Sequence, residues 1–365
     1  MNSKNISYNP RIDQIRWLAA AIVFMFHYNL EYHSLGGIDI QSNWFGIIKQ
    51  GHTGVGLFFT LSGFLFMQIA LNAETIHYSQ FIRNRFLRIF PLFFTVFLVA
   101  TSIGRDHFQP QDIFYLLTTN LGKAPTSDTA ITGAAWCISI EVLFYLLFPL
   151  LARFTLERGY SYLLKLLVLL LFFKLAAYTV AEKATLMYFS TFVGRFDQFL
   201  IGMIAALFYS HYKAYCHRFS PLLLPVTIIA VILNSAIQSR FAPFEPAAKS
   251  VFWIFWSMQE SSVWATFIIA WVGFDKRLPD WLERGLCHGG KISFSFYLLH
   301  MALIHLVMQA IGLMVITQQL LLDKIIQGAA IYAVTWWLAT IAYSSIEQPF
   351  LLMRKNYSTK SPKLD

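Results

Sequence analysis

An arginine and a histidine eleven positions apart, Arg16 and His27, interrupt the first apolar run of the chain, Ile15-Arg16-Trp17-Leu18-Ala19-Ala20-Ala21-Ile22-Val23-Phe24-Met25-Phe26-His27. Eleven residues of α-helix make about three turns plus roughly 20° and rise about 16 Å, so both side chains leave nearly the same face at different depths. An ionisable side chain near the middle of a bilayer costs at least about 2.5–3.5 kcal/mol on the most lenient scale, which makes an intramembrane pair a candidate functional site. An imidazole, with an ordinary pKa near about 6.5, is matched to taking a proton from a hydroxyl at neutral pH, and His27 is therefore a candidate general base. The plainer reading has Arg16 snorkelling to the headgroups and His27 making an interhelical hydrogen bond.

A second cluster, Trp136-Cys137-Ile138-Ser139-Ile140-Glu141-Val142-Leu143-Phe144-Tyr145, enters the hydrocarbon from the opposite side. Glu141 falls about 8 Å inside, and Tyr145 follows one turn further along the same face. The depths of His27 and Glu141 overlap, so the carboxylate is placed to orient the imidazole; a structural carboxylate bonded to a tyrosine or a backbone amide is the alternative. Trp136, Ser139 and Tyr145 are candidates to line the cavity around it.

A third cluster, Phe81-Ile82-Arg83-Asn84-Arg85-Phe86-Leu87-Arg88-Ile89-Phe90-Pro91, carries three arginines, of which Arg85 and Arg88 share a helix face by their spacing. Guanidinium forks match phosphate oxygens, which makes Arg83, Arg85 and Arg88 a candidate phosphate site; three arginines at a helix end also serve as a topology anchor. The small residues of the stretch from Gly54 to Leu65, Ser62 among them, permit close approach by another helix or a ligand. His300 and His305 point roughly 140° apart and make no metal pair; His300 is expected nearer the site. Glu347, in Ser345-Ile346-Glu347-Gln348-Pro349, is expected to tie down a helix end. No H-E-x-x-H, Walker loop, G-x-S-x-G elbow or C-x-x-C occurs, which argues against a metalloprotease, an ATP-driven pump and an α/β-hydrolase.

The 365 residues that position these clusters are 57% hydrophobic and 13% charged, with mean hydropathy +0.54. A soluble domain carries about 25% charged residues, so the chain is expected to be an all-α, polytopic integral membrane bundle. Apolar runs predict ten spans, at 17–33, 52–72, 87–104, 135–152, 161–180, 196–211, 220–237, 251–273, 292–314 and 326–346, each near the roughly 20 residues a crossing needs. The run 112–121 is too short to cross and is expected as an interfacial or re-entrant helix before a polar loop through 122–132. Many apolar runs follow the first, and Asp13 and Arg16 abut it, so it is expected to stay as a helix and not to be a cleaved signal.

Alternate loops differ in charge. One set holds Lys4, Arg11, Arg83, Arg85, Arg88, Arg153, Arg158, Lys213, Arg218, Lys276, Arg277, Arg284, Arg354 and Lys355; the other holds Lys49, Arg105, Lys123, Lys183, Arg195, Arg240, Lys249 and Lys324. Both termini are therefore expected in the cytoplasm. The net charge of +9 sits at the ends of apolar runs and forms no stripe, so no nucleic-acid partner is expected. Cys137, Cys216 and Cys287 have neither metal-ligand spacing nor a disulfide framework, and no metal is expected. The organisation reads as a cytoplasmic segment 1–16, a membrane domain 17–350 and a short cytoplasmic tail 351–365. The competing class is a transporter exporting a saccharide or organic acid through a pathway lined by Arg16, His27 and Glu141; the lack of an internal repeat counts against it.

In this order, the Arg16/His27 pair, the Gly54 to Phe64 stretch ending Leu-Ser-Gly-Phe, the turn through Arg88-Ile89-Phe90-Pro91, the Trp136 to Tyr145 stretch and the closing Ile346-Glu347-Gln348-Pro349 resemble the membrane-bound acyltransferase 3 family over about residues 10 to 350. The resemblance implies transfer of an acyl group, most often acetyl, from cytoplasmic acyl-coenzyme A to a hydroxyl of a glycan or lipid-linked saccharide, commonly in a bacterial inner membrane. It implies Arg16 and His27 as the essential pair, and Arg83, Arg85 and Arg88, with Ser62 nearby, on the donor. Val142 and Leu143 depart from the acidic or polar residues the family often has beside Glu141. Many members also carry a periplasmic hydrolase-like domain that this sequence lacks, so the spans are expected either to act directly on the acceptor or to pass the acyl group to a separate periplasmic protein; a homo-oligomer is equally compatible.

Overall fold

A computed structural model describes residues 8–107, 133 and 136–359. Among the described residues ten helices have 19 residues or more: α1 Pro10–Ser34, α2 Thr53–Leu71, α3 Tyr78–Ile103, α4 Trp136–Arg158, α5 Tyr160–Val180, α6 Phe192–His211, α7 Lys213–Phe241, α8 Phe252–Val272, α9 Asp280–Ile311 and α10 Leu320–Ala342. Eight of these, all but α1 and α8, are long and apolar enough to cross a membrane. The two others carry Arg16 with His27 and Gln259 with Glu260. Each expected span overlaps one of the ten helices, while the short helix expected at 112–121 and the loop through 122–132 lie outside the described residues.

The boundaries differ where charge was read as loop. Helix α1 starts at Pro10, not at 17, because Asn9 caps it by accepting the backbone N–H of Arg11 at 2.9 Å and proline suits the first helical position. Helix α3 starts at Tyr78, so its three arginines lie within the helix. Helix α9 starts at Asp280, twelve residues before the expected 292. Three cations assigned to loops are buried in helices: Arg11 at the start of α1, Arg195 in the first turn of α6 and Lys324 near the start of α10, where its ammonium donates to Asn29 Oδ1 at 2.6 Å. Hydropathy marks where a helix meets hydrocarbon; hydrogen bonding and caps decide where it ends.

Contacts between helix ends define two ends of the bundle. At one, Arg11 donates to the carbonyl of Lys276, and Thr75–Ile76 pairs antiparallel with Ser358–Thr359. Asn84 fixes that closing segment by exchanging hydrogen bonds with Lys355, at 2.6 and 3.1 Å, so residues 353–359 form a bound strap with Tyr357 buried. At the other end Ser239 donates to Asn43 at 3.1 Å and Glu31 meets His305 at 2.9 Å.

Lipid is as apolar as leucine, so helices associate in it through close packing and not through hydrophobic exclusion. Helix α2 meets α6 on glycines: a Cβ on Gly63 would lie 2.1 Å from the carbonyl oxygen of Phe199, and one on Gly202 2.0 Å from that of Thr60. Phe59, Phe66, Phe144, Phe148 and Phe199 fill the space beside this crossing. Helix α5 lies at the margin and leaves Leu164, Val168 and Phe172 exposed for lipid. Because backbone and not a side-chain tip blocks the Cβ, Gly202→Val is expected to cost at least about 1–3 kcal/mol, read as a lower melting temperature in detergent, whereas Val168→Ala on the lipid face changes it little.

Candidate active site

Two adjoining cavities run up the bundle from the end that holds the strap. The mouth cavity, about 130 Å³, is bordered by Asp13, Arg16, Arg85, Arg88, Lys291 and Arg354 together with Tyr8, Tyr343 and Tyr357. The inner cavity, about 100 Å³, is bordered by Ser62, Cys137, Glu141, Tyr145, Ser293 and Tyr297. Arg16, Arg85 and Arg88 border both and form a cationic waist between them. Along α2 the inner cavity extends from Phe66 at the waist to Val55, a rise of about 16 Å.

Each waist arginine is held differently. Arg16 donates to Asp13, one turn earlier, at 3.0 Å. Arg88 stands 3.5 Å from Glu347, which accepts the hydroxyl of Ser295, so the closing Ile-Glu-Gln-Pro stretch serves the site by fixing an arginine. Arg85 rests among aromatic faces, 5.0 Å from the ring of Phe66, 5.5 Å from Phe81 and 5.8 Å from Tyr145, where the ring quadrupoles favour its charge. Arg83 does not belong with them: two residues from Arg85 it points elsewhere, is exposed, borders neither cavity and donates to the carbonyl of Met353 at 3.2 Å.

Glu141 accepts the hydroxyl of Tyr145 and lies 3.5 Å from that of Ser62. It is therefore bonded as the structural alternative foresaw, and the expected pairing with His27 is not formed. The partner of His27 is His300, whose Nε2 lies 2.9 Å from His27 Nδ1. His300 Nδ1 is 2.5 Å from the carbonyl oxygen of Tyr297, an acceptor only, so in the neutral pair that nitrogen carries the proton and Nε2 carries a lone pair. His27 then donates from Nδ1, shared between His300 and the Val23 carbonyl at 3.1 Å, which leaves the lone pair of His27 on Nε2. A histidine with one nitrogen fixed and the other basic has the arrangement of a general base. Tyr297 connects this pair to the inner cavity, which it borders, and contacts Cys137 Sγ at 3.1 Å.

Trp136, Ser139, His300 and His27 itself border neither cavity. Ser139 is buried, and Trp136 packs on Phe189 with ring centroids 4.9 Å apart. Sequence reasoning missed a buried network towards the end of the bundle opposite the strap. Lys174 donates to Asp197 at 2.5 Å, to Ser257 at 2.6 Å and to the Gly194 carbonyl at 3.2 Å; Gln198 donates to Glu260 at 2.7 Å, and Arg195 stands 3.5 Å from Glu260. A lysine and a glutamate in the middle of apolar runs were the available signals. Gly56 makes room for this network, since a Cβ there would lie 2.4 Å from Glu260 Oε2. Among the described residues no group of three or more His, Cys, Asp or Glu converges as metal ligands.

The site thus combines a helical bundle, a cationic mouth cavity, an inner cavity beyond it and a His27–His300 pair, half-buried at His27, close to the inner cavity's Tyr297. The acyltransferase-domain family Acyl_transf_3 matches residues 9–344, and the chain belongs to it. Over 156 residues the chain is 29% identical to the acyltransferase MdmB of Streptomyces mycarofaciens, covering 40% of this chain and 39% of that protein. Over 154 residues it is 30% identical to the putative acetyltransferase ORF330 of Acidianus two-tailed virus, covering 40% of this chain and 42% of that protein. The aligned segments thus span less than half the length of either relative. No solved structure matches the chain.

Removing Lys174 alone would strand the carboxylate of Asp197 in a site with no solvent. Lys174→Met is expected to destabilise by about 3–5 kcal/mol, and Lys174→Met/Asp197→Leu to recover most of that, as measured by thermal unfolding in detergent.

Proposed function

We propose that this acyltransferase moves an acyl group, acetyl in the first instance, from cytoplasmic acyl-coenzyme A to a hydroxyl of a cell-envelope glycan or lipid-linked saccharide. The observation that carries the reading is the waist of Arg16, Arg85 and Arg88 between the two cavities. Coenzyme A bears a diphosphate and a 3′-phosphate at one end and a thioester on a thin flexible arm at the other. The mouth offers five cations, Arg16, Arg85, Arg88, Lys291 and Arg354, against the carboxylate of Asp13, a balance that suits the phosphates. The arm then passes the waist into the inner cavity, and the thioester reaches the neighbourhood of Cys137 and Tyr297.

His27 removes the proton of the acceptor hydroxyl with Nε2 while His300 holds its other nitrogen. The acceptor oxygen bonds to the thioester carbon, the carbon–sulfur bond breaks, and the thiolate takes the proton from the imidazolium. In this reading all ten long helices cross a bacterial inner membrane, and the strap end, with the start of α1, faces the cytoplasm. The concentration of Lys and Arg in one set of loops supports that orientation. Arg83 has no part in donor binding.

Inverted membrane vesicles supplied with radiolabelled acetyl-coenzyme A test this. The unaltered protein is expected to label a glycan or lipid fraction, His27→Ala to insert normally and label none, and Arg85→Ala/Arg88→Ala to raise the KM for acetyl-coenzyme A at least about tenfold. Label transfer by His27→Ala at the unaltered rate would refute the assignment of the base.

A further inference from the structure

Two buried cations meet at the start of helix α6, Lys174 from α5 and Arg195 from α6 itself, and they are treated differently. The ammonium of Lys174, which docks on α6 at Asp197 and Gly194, has three partners within 3.2 Å and is saturated. Arg195, 1% exposed, is tethered only through Nε, which donates to the Phe189 carbonyl at 2.7 Å. Neither NH1 nor NH2 has a hydrogen-bond partner, and the ion pair with Glu260 is a loose 3.5 Å. Glu260 holds its position through Gln198, yet its Oε1 is likewise unpartnered. A buried guanidinium with idle donors is costly, and the neighbouring lysine shows that this fold is able to satisfy a cation completely.

The place of Arg195 suggests what the donors are for. Its guanidinium lies over Phe189, 5.0 Å from the ring centroid, and 5.7 Å from that of Trp136, the residue before Cys137. Arg195 itself borders neither cavity; it stands behind the wall that Cys137, next to Trp136, and Tyr297, hydrogen-bonded to Cys137, present to the inner cavity. Phe189 also meets the ring of His52 at 5.2 Å, and His52 meets Phe26, the residue before His27, at 5.7 Å, so a chain of ring contacts links the guanidinium to the histidine pair. Arg16 is remote from it: it sits at the waist on Asp13, about 16 Å along α1 from His27.

We propose that Arg195, poised by Glu260, is the oxyanion-stabilising residue of the transfer. This assignment rests on the acyl-coenzyme A reading above. When the acceptor oxygen bonds to the thioester carbon, the carbonyl π pair moves onto its oxygen, and the idle N–H groups of Arg195 receive that charge. The pair returns as the carbon–sulfur bond breaks, and the proton taken by His27 leaves with the thiolate. A donor fixed in a dry site before charge develops is worth about 10²–10³ in rate, which accounts for keeping a buried guanidinium unsatisfied in the resting protein.

Binding of two coenzyme A analogues to purified protein in detergent tests the role without an acceptor. One is a trifluoromethyl ketone analogue of acetyl-coenzyme A, which hydrates to a tetrahedral diol; the other is S-ethyl-coenzyme A, which has no carbonyl. Unaltered protein is expected to prefer the ketone by at least about tenfold. Arg195→Gln/Glu260→Gln, which removes both charges together, is expected to bind S-ethyl-coenzyme A normally and to lose that preference. If the double variant does not fold, Arg195→Lys keeps the charge opposite Glu260 but not the fork, and is expected to lose at least about threefold of the preference. A preference that survives these changes, or that is absent from unaltered protein still binding S-ethyl-coenzyme A, overturns the role of Arg195 alone. Unaltered protein that binds neither analogue overturns the donor reading, and this role with it.

Discussion

A guanidinium withdrawn from water loses hydration that only fixed partners restore, and this molecule is organised around four arginines withdrawn to different degrees: Arg16, Arg85 and Arg88, half-buried, and Arg195, fully buried. The partners come from different helices, so satisfying the charges also sets helix positions. Glu347 beyond α10 and Ser295 on α9 meet Arg88 on α3. Aromatic rings from α2, α3 and α4 surround Arg85. The polar groups are therefore registration points for an apolar bundle in which one leucine face is energetically much like another.

The division of labour along the membrane normal follows from the same constraint. At the strap end, cations line open space. Towards the opposite end the charges stand opposite carboxylates inside the protein, and the groups between the two ends are imidazoles and hydroxyls. Glu141 lies between the two regimes, bonded to Tyr145 and beside Ser62, and shapes the wall along which the acyl arm would run.

Much of this was legible in the chain. The pairing of Arg85 with Arg88 follows from a spacing of three, and the same arithmetic, carried two residues back, turns Arg83 away. The helix count is visible in the apolar runs, but their boundaries are not, because caps such as Asn9 and buried cations such as Arg195 and Lys324 carry no hydropathic signature of being inside. The partner of His27 was misjudged for a different reason. Depth alone made Glu141 and His300 comparable, and depth says nothing about azimuth; only the packing of α1 against α9 decides which of them the imidazole faces. Lys174, Asp197 and Glu260 were visible as ionisable residues within apolar runs, but their mutual contacts depend on the crossings of α5, α6 and α8.

The strap has a consequence for the order in which the molecule is made. The mouth is walled by Tyr8 to Arg16 at one extreme of the described chain and by Tyr343 to Tyr357 at the other, tied in by Asn84 and by the pairing of Thr75 with Thr359. Chains emerge from the ribosome amino end first and fold as they emerge. All ten long helices among the described residues are thus synthesised before the last wall of the mouth exists, and a ribosome-bound chain that stops short of Tyr357 has its histidine pair but an unfinished mouth. The mouth cavity is completed last, as the strap closes on the start of α1.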